Sequence, residues 1–325
     1  MSLRLRYRFS PTTRSALRAS GLGGAIKGLF RREYRETHAL RALSFQVDEG
    51  EILGYIGPNG AGKSTTIKIL SGIMRPDSGR CVVPGIVPWE NRVEHVRRVG
   101  VVFGQRTQLW WDLPTLESFR LLKTMYRVPD AEFHENLAEL TDLLELGPLL
   151  EIPVRQLSLG QRMRCELVAS LLHSPRILFL DEPTIGLDAR AKLAVRRFIK
   201  EYNRRRGVTV ILTTHDMDDI EELSHRIIVL KEGELIYSGD VDGLRRSIGA
   251  RRRLIVDTEG RASVPDVDGA EIRRDDDRIV YLYDPARTGV NEIIGSITPF
   301  RRVVDLFSEW EPIEEIVARI YQDGE

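Results

Sequence analysis

The chain has 325 residues, enough for two domains with sizeable cores, and its 42% apolar and 30% charged residues are the mixture of a globular protein. Forty-eight basic residues meet 48 acidic ones, and a net charge of zero argues against a dedicated nucleic-acid binder. No apolar run approaches 18 residues, no secretory apolar region follows Met1, and Cys81 and Cys165 alone make neither a disulfide framework nor a zinc cluster, so a reduced, cytosolic chain without a membrane span is expected.

Charge is uneven along the chain. Residues 1–32 carry Arg4, Arg6, Arg8, Arg14, Arg18, Lys27, Arg31 and Arg32 and no acid. This basic N-terminal extension reads as a solvated tail or as an arm whose AIKGLF stretch touches anionic lipid or a membrane partner, and its Arg- and Ser-rich, acid-free composition also mimics an organellar transit peptide. From about residue 41, ALSFQV alternates like a strand, Asp48-Glu49-Gly50 is a turn, and EILGYIG is a second strand entering a glycine-rich loop. TTIKILSGI reads as a helix and GVVF, at 100–103, as a buried strand. Phe133, Leu137, Leu140 and Leu144 recur at helical spacing. RILFLDEP is a short apolar strand ending in two carboxylates. Residues 189–206 form an amphipathic helix with Val195, Phe198, Ile199 and Tyr202 inward, ending in three arginines and Gly207. VTVILTTH and RIIVL are two further strands. Apolar strands alternating with helices imply an α/β layered core. After about Gly239, RRRLIVDTE, RIVYLYD and FRRVVDLFSEW read as half-exposed strands and EPIEEIVARIYQ as a closing helix, a small α+β module at 241–325.

GPNGAGKS at 57–64 fits a phosphate-binding loop, G-x-x-x-x-G-K-[ST], between a strand and a helix. Gly57, Gly60 and Gly62, with Pro58, Asn59 and Ala61 between them, let backbone N–H groups turn inward on an anion, and the helix N-terminus adds its dipole. Lys63 is placed to reach the β- and γ-phosphates, Ser64 to ligate Mg²⁺, and Thr65 to add a hydroxyl at the α-phosphate. In ILFLDEP, Asp181 and Glu182 leave the strand at the sheet's carboxyl edge, where open α/β folds bind ligands. Asp181 suits a supporting role towards Mg²⁺, and Glu182 suits a proton acceptor for an attacking water.

With these motifs the chain resembles an ATP-binding subunit of an ABC transporter. The resemblance covers about residues 33–240 and rests on an ordered set: GPNGAGKST, LSLGQ at 157–161, ILFLDEP, GLD at 186–188 and TTHD at 213–216. It implies a P-loop ABC-type ATPase core with an inserted helical subdomain at about 107–165, plus the small C-terminal α+β domain. It implies ATP and Mg²⁺ as cofactors, with adenine stacked on Tyr34 and Mg²⁺ and water sensed by Gln105, or less directly Gln108. Ser158, Gly160 and Gln161 of the signature would meet the γ-phosphate held by a second ATPase subunit, Asp188 would communicate across that dimer, and His215 would orient the γ-phosphate and water. A homodimer or a heterodimer satisfies these roles equally. The departures are Leu159, where the family has glycine, and Ile185, where a small residue is common.

The resemblance further implies ATP hydrolysis coupled to transport through a separate polytopic membrane subunit, on the cytoplasmic face of the cell membrane, without nucleic acid. Trp110 and Trp111, in RTQLWWDLP, fall where such a subunit docks. REYRETHAL, QLWWDLP, LSLGQRMR and the ending VVDLFSEWEPIEEIVARIY are similar to the sodium and drug efflux subgroup, and the C-terminal module is expected to help dimerisation. Soluble ABC-type ATPases of the ribosome or of DNA repair carry two cores or long coiled-coil insertions, which this chain lacks. A non-catalytic ATP-gated regulator would lack Glu182 or His215, and both are present.

Overall fold

The computed structural model describes residues 2–9, 35–104, 106–259, 266–275 and 278–322. They form two compact units that divide between Ser238 and Gly239.

In the first unit the described strands and helices run β1 (Ser2–Phe9), β2 (Arg35–Ser44), β3 (Ile52–Ile56), α1 (Lys63–Leu70), β4 (Ser78–Gly79), α2 (Arg92–Val96), β5 (Val99–Phe103), α3 (Thr115–Tyr126), α4 (Asp130–Leu143), α5 (Leu159–Leu171), β6 (Ile177–Asp181), α6 (Ala189–Arg206), β7 (Thr209–Thr213), α7 (Met217–Leu223), β8 (Arg226–Lys231) and β9 (Glu234–Gly239). The strands make one sheet in the order β4-β1-β2-β9-β8-β3-β7-β6-β5. From β8 to β5 the pairing is parallel. Every residue of β3 and β7 is buried, as expected of parallel strands covered on both faces.

Successive residues of β6 divide the core. Leu178 and Leu180 face the side covered by α3, α4, α5 and α6, with Phe119, Phe133, Leu140, Leu167 and Phe198. Phe179 faces the other, with Tyr55, Ile211 and the α1 residues Ile67 and Leu70. The period of two in a strand thus feeds both layers from one five-residue run. α6 occupies the residues its amphipathic pattern predicts: Val195, Phe198, Ile199 and Tyr202 are buried, Asp188 caps its start and Gly207 ends it at φ 62°.

The N-terminal region differs from expectation. Ser2–Phe9 is an antiparallel strand along β2, from Ser2 opposite Ser44 to Phe9 opposite Arg35. This pairing draws the strand to 35–44, earlier than the ALSFQV run at 42–47; Phe45, just beyond it, stays buried. The AIKGLF stretch lies outside the described residues.

The second unit contains α8 (Val241–Ser247), β10 (Arg252–Glu259), β11 (Ala270–Asp275), β12 (Arg278–Tyr283), α9 (Val290–Ile297), β13 (Arg302–Trp310) and α10 (Ile313–Gln322). Its antiparallel sheet runs β11-β12-β10-β13. Leu254, Val256, Ile279, Tyr281 and Tyr283 of the sheet bury against Ile293 and Ile297 of α9. β11 and α9 are additions to the elements expected from the sequence.

Phe179 is fully buried, whereas Phe300 is half exposed. Phe179→Ala is expected to cost about 3–5 kcal/mol in denaturant unfolding, through lost burial and a residual cavity, and Phe300→Ala less than about 1 kcal/mol.

Candidate functional site

The site sits where four parallel strands end side by side. Tyr55 of β3 pairs with Thr213 of β7, Thr213 with Asp181 of β6, and Asp181 with Phe103 of β5. The next residues along each strand are therefore delivered to one edge: the glycine-rich loop, His215, Glu182 and Gly104.

The loop after β3 closes on itself before α1. Ala61 N donates to Pro58 O at 3.1 Å. The Lys63 ammonium is buried and donates to Gly57 O at 2.7 Å and Pro58 O at 3.2 Å. Burial holds its pKa below the ordinary lysine value, against the opposing pull of Glu182 and Asp181. Gly62 has φ 101°, and a Cβ there would lie 2.6 Å from Ala39 O, so the turn requires glycine on two counts. Thr66 Oγ1 donates to Gly62 O at 3.0 Å and lies 3.1 Å from Tyr55 Oη, which anchors the base of the loop to β3. Asn59 and Gly60 form its exposed tip, and Ser64 and Thr65 are half-buried in the first turn of α1.

Asp181 gathers two hydroxyls: Ser64 Oγ donates to Oδ1 at 3.1 Å and Thr213 Oγ1 at 2.6 Å. Glu182 then leaves the strand at φ 57°, a left-handed conformation that costs a non-glycine residue about 1–2 kcal/mol. Its N–H holds the bend by donating to Thr213 O at 2.9 Å and Thr213 Oγ1 at 3.2 Å. The turn points its carboxylate at His215, with Oε1 2.7 Å from Nε2. β5 leaves close by: Gly104 N donates to Asp181 O at 2.8 Å, and a Cβ at Gly104 would lie 2.3 Å from Glu182 O. Thr213 is a site residue that sequence reasoning quoted within TTHD without giving it a role. Its signal is a hydroxyl at the carboxyl end of a strand whose three central residues are apolar.

A second polar cluster supports this edge from behind. Asp219 is fully buried and accepts from Thr184 Oγ1, from Thr214 Oγ1 at 3.0 Å and from Arg196 Nε. Arg196 also reaches Asp216 Oδ1 at 3.0 Å, whose other oxygen accepts from Lys192 Nζ at 2.6 Å. These charges hold Asp216 below the usual carboxylate range against the opposing effect of its burial. Thr184 and Thr214 each follow a site residue by one or two positions or precede one directly, so the cluster fixes the bends that carry Glu182 and His215.

The signature is built as a helix start. Ser158 caps α5 in a capping box with Gln161: Ser158 N donates to Gln161 Oε1 at 2.8 Å and Gln161 N to Ser158 Oγ at 3.2 Å. Each side chain thus accepts from the backbone N–H of the other residue. Gly160 lies against Ala191 of α6, and Leu159 against Gly186. Asp188 Oδ1 accepts from Ala191 N at 2.8 Å and is exposed. Leu159 and Ile185, the two departures from the family pattern, are each more than a third exposed (36% and 38%). Tyr34 and Gln105 lie outside the described residues. The Gln108 amide is engaged elsewhere, donating to Glu166 O at 3.3 Å.

The geometry thus joins Lys63, Ser64, Asp181, Glu182, Thr213 and His215 at one strand edge, and holds Ser158, Gly160, Gln161 and Asp188 on an exposed face of the first unit. The first group can cradle a polyphosphate and present a carboxylate to a water beside it.

The ABC transporter family profile matches residues 40–185. The daunorubicin/doxorubicin resistance ATP-binding protein DrrA of Streptomyces peucetius is 35% identical over 250 residues, covering 75% of each chain. ABC transporter A family member 8 of Dictyostelium discoideum is 31% identical over 257 residues, 79% of this chain but 30% of that much longer relative. A solved dimeric ATP-binding cassette in a post-hydrolysis state, bound to ADP and Pi, superposes with a TM-score of 0.59 at 26% identity, over 74% of this chain and 99% of that one. Motifs, strand topology and these likenesses agree: the chain belongs to the ABC transporter family of ATP-binding proteins.

Proposed function

We propose that the chain is the ATP-hydrolysing subunit of an ABC exporter, acting as one of two cassettes beneath a separate polytopic membrane subunit. The observation that carries this reading is the 2.7 Å contact between Glu182 and His215 at the strand edge shared with Lys63 and Asp181. The glycine-rich loop and the start of α1 offer N–H groups to the β- and γ-phosphates. Lys63 exchanges its two loop carbonyls for phosphate oxygens. His215 Nε2 engages Glu182 Oε1, which leaves Oε2 to take a proton from water attacking the γ-phosphate.

The Ser64 hydroxyl and Asp181 carboxylate, 3.1 Å apart, are the hard oxygen donors that Mg²⁺ prefers, with Gln105 as a further candidate. Among the described residues no group of three or more His, Cys, Asp or Glu could hold a metal, which fits an ion held mainly by phosphate and water. When bound with nucleotide, Mg²⁺ neutralises phosphate charge.

The capping box at Ser158 and Gln161, with Gly160, supports a second copy of the chain as the partner cassette: each copy offers a complete phosphate loop and a complete signature. Among the described residues no helix is long and apolar enough to cross a membrane, so in this reading a separate subunit anchors the chain on the cytoplasmic face. Trp110 and Trp111 are 37% and 49% exposed, and exposed tryptophans make strong interface anchors. The resistance activity named for DrrA supports export as the direction.

Glu182→Gln is expected to lower steady-state ATP turnover by at least about 100-fold while leaving ATP binding within about threefold. Turnover close to wild type would remove Glu182 as the base. Trp110→Ala combined with Trp111→Ala is expected to leave turnover of the purified chain within about twofold while abolishing co-purification of a polytopic membrane protein from solubilised native membranes; undiminished co-purification would place docking elsewhere.

A further inference from the structure

Glu166 lies on α5 eight residues after Ser158, about 12 Å along the helix axis. Its side chain is almost fully buried (4% exposed), yet it carries a carboxylate where the other buried residues of α5, Ser170 apart, are apolar. The groups that reach it belong to the segment following Gln105. Thr107 Oγ1 donates to Oε1, and Gln108 N lies 3.3 Å from Oε1 and 3.2 Å from Oε2. Gln108 Nε2 returns a bond to Glu166 O at 3.3 Å, and Leu109 N donates to Thr107 Oγ1 at 3.1 Å. One turn earlier on α5, the Arg162 guanidinium lies 5.7 Å from the centre of the Trp111 ring. Burial pushes the Glu166 carboxyl above the usual range, against the opposing hydrogen bonds from Thr107 and Gln108.

A helix that only needed to fill the core would carry leucine at this position. Leucine would remove the shared acceptor of the half-buried Gln108 N–H and the Thr107 hydroxyl and leave the segment without its anchor on α5. The carboxylate therefore serves the loop. It joins two functional elements of one chain: the helix headed by Ser158, and the segment that leads from Gln105 to the exposed Trp110–Trp111 pair.

We propose that Glu166 is a positioning residue that locks the signature helix to the Thr107–Trp111 segment, so that displacement of the tryptophan pair and displacement of Ser158 are one movement. The proposal rests on the ATPase reading above. It makes the middle of α5, not the phosphate loop, the route by which a docked partner sets the engagement of the signature with nucleotide on the second cassette.

The test is a double-mutant cycle on the full-length chain with Thr107→Val, Glu166→Gln and both together, reading kcat and KM for ATP. Each single variant is expected to lower kcat about five- to tenfold with KM within twofold, and the double variant to be no slower than the slower single. Thr107→Ser, which keeps the hydroxyl, is expected to retain at least half of wild-type kcat. In parallel, amide hydrogen exchange at 108–111 is expected to accelerate in Glu166→Gln and Thr107→Val while residues 57–66 are unchanged. Multiplicative effects in the cycle, unchanged kcat, or equal exchange acceleration at both segments would overturn the proposal, as would a loss of ATP binding that tracks a lowered Tm. A wild-type chain without turnover would remove the ATPase reading and the proposal together; turnover that depends on Glu182 with a multiplicative cycle would remove the proposal alone.

Discussion

The lateral register of four parallel strands is the constraint on which the site depends. Tyr55, Thr213, Asp181 and Phe103 are consecutive rungs across β3, β7, β6 and β5, and each strand turns within two residues of its rung. A one-residue slip of β6 would exchange the two core faces of Leu178, Phe179 and Leu180 and turn Asp181 away from Ser64. Burial of alternate side chains in two separate layers resists that slip, so the hydrophobic pattern that stabilises the sheet also sets the separation of lysine, carboxylates and histidine.

Desolvated charge is the second organising feature. Lys63, Glu166, Arg196 and Asp219 are all more than nine-tenths buried, and each is held by directed hydrogen bonds from the chain around it. Burying a charge is unfavourable unless its partners are fixed in place, so each of these groups ties together the loops that supply its partners. Lys63 gathers the two ends of the phosphate loop, Asp219 the bends after β6 and β7, and Glu166 the segment after β5. These four loops near the reactive edge are thus braced by polar contacts as well as by packing. Such contacts are directional and can be exchanged in discrete steps as phosphate arrives and leaves.

Much of this organisation is legible in the sequence, for identifiable reasons. α6 reads correctly to its ends because an aspartate cap, a period-3.6 apolar face and a terminal glycine all agree. β3, β6, β7 and β8 are readable as short apolar runs, and the Lys63, Asp181, Glu182 and His215 positions follow from motifs whose chemistry demands those residue types. Elsewhere signals conflict. In Ser2–Phe9, Leu3, Leu5, Tyr7 and Phe9 alternate with Arg4, Arg6 and Arg8, a strand pattern that the acid-free charge run outweighs until its partner β2 is known. β11, AEIRRD, is too short and charged to declare itself without β12 beside it. Glu166 is invisible as a site residue because its role comes from a neighbour 59 positions away, and the one local sign of Thr213, a hydroxyl at its strand's end, does not reveal its partner Asp181, 32 positions away.

The two departures from the family pattern acquire a shared meaning once placed in space. Leu159 and Ile185 sit far apart in sequence, but Leu159 lies against Gly186, the residue after Ile185, and both side chains remain over a third exposed. The Ser158–Gln161 capping box holds the backbone of the signature regardless of what occupies position 159, because its hydrogen bonds use the side chains three residues apart and their own N–H groups. A larger side chain at 159 therefore changes the surface of the helix start without changing its conformation. The result is an apolar rim beside the polar groups that a nucleotide on a second cassette would meet. Water is excluded from such a rim more readily than from glycine and serine, and exclusion of water strengthens charge-assisted contacts formed there. In the proposed pair of cassettes the two substitutions would act on how firmly the copies close, while Lys63, Asp181, Glu182 and His215 keep their geometry at the strand edge.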